Sequence, residues 1–174
     1  GEPSVITYIM QGDTPYATEV KRKIATIPEG VAEIKTAELV TLLEKDPKVF
    51  LVDSRPTARY KQAHLPGAHS IPQAKLEQEK AAVLPADKTT PLVFYCGGVT
   101  CPFSPASAAI ARDLGYTNVF VYHEGEPEWT KAGLPAYSDD DFIVNGNVVL
   151  LDIRAPQTAQ NGRIKGTYNI PYDQ

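Results

Sequence analysis

Cysteine is scarce in this chain: 174 residues hold only two, Cys96 and Cys101. Two thiols five positions apart make no disulfide framework. A zinc site would need at least two further Cys or His ligands at suitable spacing, and His64, His69 and His123 do not supply them. No metal and no cofactor is therefore expected. Long hydrophobic runs are also missing; the longest are about five residues, against the roughly 20 that cross a bilayer, so no membrane span is expected and the chain reads as soluble. Basic clusters stop at Lys21-Arg22-Lys23, the net charge is −4 and the pI is about 5.4. That balance argues against nucleic acid as a partner. The chain opens on Gly1-Glu2-Pro3 rather than Met, which implies that something upstream was removed. Its compartment stays open between bacterial-type periplasmic and cytoplasmic.

What is present is an ordinary hydrophobic fraction of 43%, in a chain long enough for one domain with material to spare. From about residue 30 the apolar residues alternate between strand-like and helix-like patterns. Thr36 can cap a helix through Glu38, Leu39, Leu42 and Leu43, and Asp46-Pro47 ends it before the buried strand Val49–Val52. Pro56 suits the first turn of a short helix reaching Lys61. A brief strand near Ser70-Ile71 and a helix from Gln73 toward Val83 follow. Leu92–Tyr95 is the next strand, Ser104 with Pro105 reads as the cap and first turn of a helix to Leu114, Gly115 stops it, and Val119–Tyr122 is a further strand. Continuous apolar strands separated by helices imply an α/β fold with a mainly parallel sheet covered on both faces. In residues 1–30, Val5–Met10 looks like a strand, and Tyr16, Val20, Ile24 and Ile27 mark one face of a helix.

Cys96 directly follows the strand Leu92–Tyr95 and opens the loop Cys96-Gly97-Gly98-Val99-Thr100-Cys101 ahead of a helix. Open parallel sheets gather ligands at the carboxyl ends of their strands. Loop amides and the following helix N-terminus would surround the Cys96 sulfur with partial positive charge and hold it as a thiolate, the nucleophilic form. The glycines let amides at Gly97, Gly98, Val99 and Thr100 turn inward as an anion cradle.

A second feature is an internal repeat. Val148–Pro171 aligns on Val49–Pro72 at a constant offset of 99 with seven identities in 24 positions, among them Asp53/Asp152, Arg55/Arg154, Gly67/Gly166 and both Ile-Pro pairs. Apolar strand, Asp-x-Arg, helix, Gly and Ile-Pro are thus used twice. The second copy reaches Gln174 before a cysteine loop of its own, so the chain is expected to end inside a second domain.

Val49–Arg55, Arg59-Tyr60, His64-Leu65-Pro66-Gly67-Ala68, Ser70-Ile71-Pro72, the cysteine loop, and Leu114-Gly115-Tyr116 with Trp129 further on together resemble the rhodanese family. The resemblance implies a three-layer α/β domain with a mainly parallel sheet of about five strands and helices on both faces. It divides the chain into an extension at 1–30, a complete domain at 31–138 and a partial second copy at 139–174. It also implies sulfurtransferase chemistry, in which Cys96 takes sulfane sulfur from a small sulfur-containing anion or a persulfide and passes it to a thiol or cyanide-like acceptor. Gly97, Gly98, Val99, Thr100 and Cys101 would line the donor site with Arg59 as a nearby cation, and Asp53 and Arg55 would support the strand end and loop. The loop departs from the family pattern in one respect: Cys101 stands where Arg or Lys is usual. Pro102 stands where a phosphatase Cys-x5-Arg motif needs its arginine, which argues against phosphoryl chemistry.

Rival readings remain at this level. Cys101 is either a packing residue or a partner that resolves a Cys96 persulfide or forms a reversible disulfide with it. A non-catalytic module for partner binding or regulation is the alternative to an enzyme. His64 reads as structural within its turn, and exposed strand edges in 142–174 suggest a homodimer.

Overall fold

The computed structural model describes residues 3–172; Gly1, Glu2, Asp173 and Gln174, the outer ends of the expected first and last segments, lie outside the described residues. The chain falls into two compact units, residues 1–137 and 138–174.

In the first unit, strands β1 (Ser4–Gln11) and β2 (Thr14–Arg22) form an antiparallel hairpin. The helix expected over Tyr16–Ile27 is not formed. Threonine, valine and tyrosine favour extended backbone, and Gly12 at φ 60° makes the tight turn that closes the pair. The apolar spacing that suggests a helix face is divided instead between the two faces of a ribbon, where Ile6 opposes Val20 and Ile9 opposes Tyr16.

The rest of the unit is a five-stranded sheet. In chain order come β3 (Ala32–Glu33), α1 (Thr36–Lys45), β4 (Phe50–Asp53), α2 (Thr57–Gln62), β5 (His69–Ser70), α3 (Gln73–Glu79), β6 (Leu92–Tyr95), α4 (Phe103–Asp113), β7 (Val119–Tyr122) and α5 (Gly125–Lys131). The sheet order is β3-β7-β6-β4-β5, and every pairing is parallel. This is the expected three-layer architecture. Side chains alternate along each strand. Val52, Leu92, Phe94, Val119 and Val121 pack on one face with Leu76 of α3 and Ala108 and Ala111 of α4. Leu51, Val93, Tyr95 and Tyr122 pack on the other with Leu39 of α1 and Trp129 of α5. Both faces are buried, which is why these strands read as continuous apolar runs rather than alternating ones.

Two helix starts differ from expectation. Helix α1 is capped at Lys35, because the Thr36 hydroxyl is taken by Glu124 at 2.8 Å and Tyr122 at 2.8 Å. Helix α4 begins at Phe103 after Pro102, so Ser104 lies inside its first turn and its hydroxyl is free to face the cysteine loop.

The second unit holds α6 (Asp140–Asn145), β8 (Leu151–Asp152), α7 (Pro156–Gln160) and β9 (Tyr168–Asn169), with β8 and β9 parallel. Its register repeats that of β4 and β5: Val52↔His69 and Asp53↔Ser70 correspond to Leu151↔Tyr168 and Asp152↔Asn169 at the same offset of 99. Among the described residues no helix is long and apolar enough to cross a membrane.

Candidate active site

The site is built where β4 and β6 end side by side. Asp53, the last residue of β4, is fully buried and accepts hydrogen bonds from the Arg55 backbone N–H at 3.0 Å, Arg55 Nη2 at 2.7 Å and the Tyr95 hydroxyl at 2.8 Å. Arg55 also donates to the Ala63 carbonyl at 2.6 Å and to Glu126 of α5 at 3.2 Å. Burial first and the Asp53 charge second push the Tyr95 phenol well above its ordinary range, so it stays a donor. Asp53 and Arg55 thereby join β4, β6, the turn after α2 and the start of α5. His64 is structural as well: Nδ1 lies 2.8 Å from the Tyr60 carbonyl and its ring stacks on Tyr60.

The loop 96–101 stands directly on this support. Gly98 at φ 108° permits the turn in which the Cys101 N–H reaches the Gly98 carbonyl at 2.9 Å, folding Cys101 back over Cys96. Gly125 holds the other side. Its φ is 66°, the neighbouring Glu126 N–H donates to the Cys96 carbonyl at 3.1 Å, and a β-carbon at Gly125 would sit 2.3 Å from that carbonyl oxygen. Only glycine fits there, a requirement that the run Glu124–Glu128 does not announce.

The Cys96 sulfur is fully buried, 3.0 Å from the Ser104 hydroxyl and 3.4 Å from the Cys101 carbonyl oxygen. These partners are a hydroxyl and a carbonyl, where the sequence led to the expectation of loop amides. The hydrogen bond to Cys101, then burial, push the Cys96 thiol up, with Ser104 opposing. Cys101 is moved the other way: the Cys96 bond, the Phe103 and Gly97 amides and the Arg55 charge bring its thiol down to about 6 against the cost of its partial burial.

A cleft of about 190 Å³ opens over the loop, lined by residues 97–100, by Glu124, Pro127 and Glu128, and by Arg22. Arg22 comes from the end of β2, and the segment after it is tied to the loop by the Ala25 N–H to Val99 carbonyl bond at 2.8 Å. Arg59, the cation expected from sequence, lies exposed on α2 with its guanidinium on Gln62 at 3.1 Å. The N-terminal segment thus supplies a charged group that the sequence pattern could not place, since nothing local links residue 22 to residue 97. His123 is buried at the end of β7 with Nδ1 3.9 Å from Glu33. Among the described residues no group of three or more His, Cys, Asp or Glu side chains could hold a metal ion.

With this geometry in view, comparison with known proteins is direct. The chain is 41% identical over 102 residues to the HTH-type transcriptional regulator Rv0324 of Mycobacterium tuberculosis, a match covering 59% of this chain and 43% of that protein. It is 28% identical over 147 residues to arsenate reductase 2.1 of rice, covering 76% of this chain and 90% of that one. The polysulfide-sulfur transferase homodimer of Wolinella succinogenes shares the fold, with a TM-score of 0.52, 19% identity and coverage of 64% of this chain and 81% of that one. The rhodanese-like domain family matches residues 35–132. On that match over more than half its length, the chain belongs to the rhodanese-like domain family.

Proposed function

We propose that this protein is a sulfurtransferase that carries sulfane sulfur as a persulfide on Cys96. The observation that supports the reading is a pair of cysteines in one loop at the carboxyl end of a central strand, with Cys101 folded back so that its carbonyl oxygen lies 3.4 Å from the Cys96 sulfur. As Cys96 attacks the outer sulfur of a donor, its proton passes to the Cys101 thiolate, so the buried thiol need not ionise alone. The donor's S–S bond breaks, its leaving group departs as an anion, and Cys96 keeps the sulfur. Amides at Gly97, Gly98, Val99 and Thr100 would receive the charge that develops. Glu124 and Glu128 at the cleft mouth disfavour a doubly charged anion such as thiosulfate and suit a thiol persulfide, with a thiol as acceptor. Residues 139–174 are, on the same reading, the front part of a second copy.

Incubation with glutathione persulfide should place one sulfur atom on Cys96, read as mass gained by the intact chain or as sulfide released from it, and cyanide should remove any mass gained. Cys96→Ser should abolish the gain. The rate should rise with pH through a midpoint near 6, as should alkylation of Cys101. Loading that persists in Cys96→Ser, or a wild-type chain that neither gains mass nor releases sulfide, overturns the assignment. The second result would favour a non-catalytic module, a role that complete burial of Cys96 and the likeness to a transcriptional regulator also support.

A further inference from the structure

We infer that Cys101 is a resolving cysteine, so that the loop reduces sulfane sulfur to sulfide as well as passing it on. The inference rests on the persulfide reading of Cys96 and adds a second outcome for that intermediate. Three observations bring it forward. The Cys96 sulfur lies 3.4 Å from the Cys101 carbonyl oxygen, and the turn from Gly98 to Cys101 holds Cys101 beside it. Cys101 is half-buried while Cys96 is sealed, so an external thiol reaches the resolving side of the pair first. Arg55, fixed by Asp53 and Glu126, lends positive charge to Cys101. A thiolate in contact with the inner sulfur of a persulfide is positioned for exchange.

The step balances within the protein. The Cys101 thiolate attacks the Cys96 Sγ, the bond from that Sγ to the outer sulfur breaks, and the outer sulfur leaves with its proton as hydrosulfide. Two cysteine thiols are oxidised to a disulfide and one sulfane sulfur is reduced to sulfide, so no external oxidant enters. An external dithiol then reopens the disulfide and is itself oxidised. Ser104, 3.0 Å from the Cys96 sulfur, can donate to Cys96 in either half of the cycle.

The test is a single turnover of the full chain with one equivalent of glutathione persulfide, without other reductant, followed by acid quench. The wild type should release one equivalent of sulfide, lose the mass of two hydrogens and yield a Cys96–Cys101 disulfide in its peptide map. Dithiothreitol should then restore the dithiol. Cys101→Ser and Cys101→Ala should keep the added sulfur on Cys96 and release no sulfide, with far-UV circular dichroism verifying that each is folded. A wild type that keeps its added sulfur just as these variants do overturns the inference and leaves the transferase reading standing. If neither the wild type nor either variant takes up sulfur or releases sulfide, the persulfide reading falls and this inference with it.

Discussion

At Asp53 and again at Asp152 the chain builds the same clasp. In the first unit Arg55 returns its backbone N–H and guanidinium to Asp53 and reaches the Ala63 carbonyl. Ninety-nine residues later Arg154 does the same to Asp152 and reaches the Gly162 carbonyl at 2.8 Å. The surroundings differ. Val52 is fully buried between two helical layers, whereas its counterpart Leu151 is 56% exposed. Arg55 is nearly sealed and gains Glu126 and the Tyr95 ring; Arg154 has neither. A clasp between residues i and i+2 needs only its own few residues, so it forms wherever the motif occurs. Its burial, and thus its energetic weight, comes from a sheet and helices far away in sequence. In the first unit that setting turns a local turn into the base of a cysteine loop.

The largest contrast is expected on breaking the clasp in each place. Asp53→Ala leaves a buried guanidinium and the Tyr95 hydroxyl without their acceptor and should cost about 3–5 kcal/mol. Chemical denaturation followed by Trp129, the single tryptophan and buried in the first unit, reads this directly. Asp152→Ala should leave that transition in place; equal losses would end the distinction drawn between the two. A smaller contrast is expected at the strand residue. Val52→Ala should cost about 2 kcal/mol through lost burial and cavity formation, and Leu151→Ala less than about 0.5 kcal/mol, since an exposed side chain leaves little cavity. The smallest effect is electrostatic. The Arg154 guanidinium holds the Asp152 carboxyl at about 2, so the stabilisation it gives is complete above the ordinary carboxylate range and fades as pH falls toward 2. Carboxyl-carbon NMR should record that midpoint, and Arg154→Gln should raise it toward about 4. An unmoved midpoint would mean that the half-exposed Arg154 gives this clasp no electrostatic weight.

Much of this was legible in the residues because its causes are local. Continuous apolar runs mark strands buried on both faces, Asp-x-Arg marks the clasp, and the glycine-rich run after β6 marks the loop. The helix expected in the N-terminal segment fails because Tyr16 and Val20 fit both a helix face and a ribbon, and the turn at Gly12 decides for the ribbon. Which thiol is the more acidic is hidden from the sequence for a similar reason. Sequence places both thiols in one loop, but which receives the Gly97 and Phe103 amides depends on how the loop folds back. Arg22 and Gly125 were invisible because their importance lies in what they approach across the fold.

By itself the sequence determined the α/β architecture, the repeated clasp and the presence of two thiols at a strand end, since periodicity, short-range hydrogen bonding and turn chemistry are properties of neighbouring residues. Tertiary structure alone decided how deeply each clasp is buried, which thiol is lowered and which arginine lines the cleft. Desolvation and Coulomb interactions depend on distance in space, and the chain sets those distances only when it closes on itself.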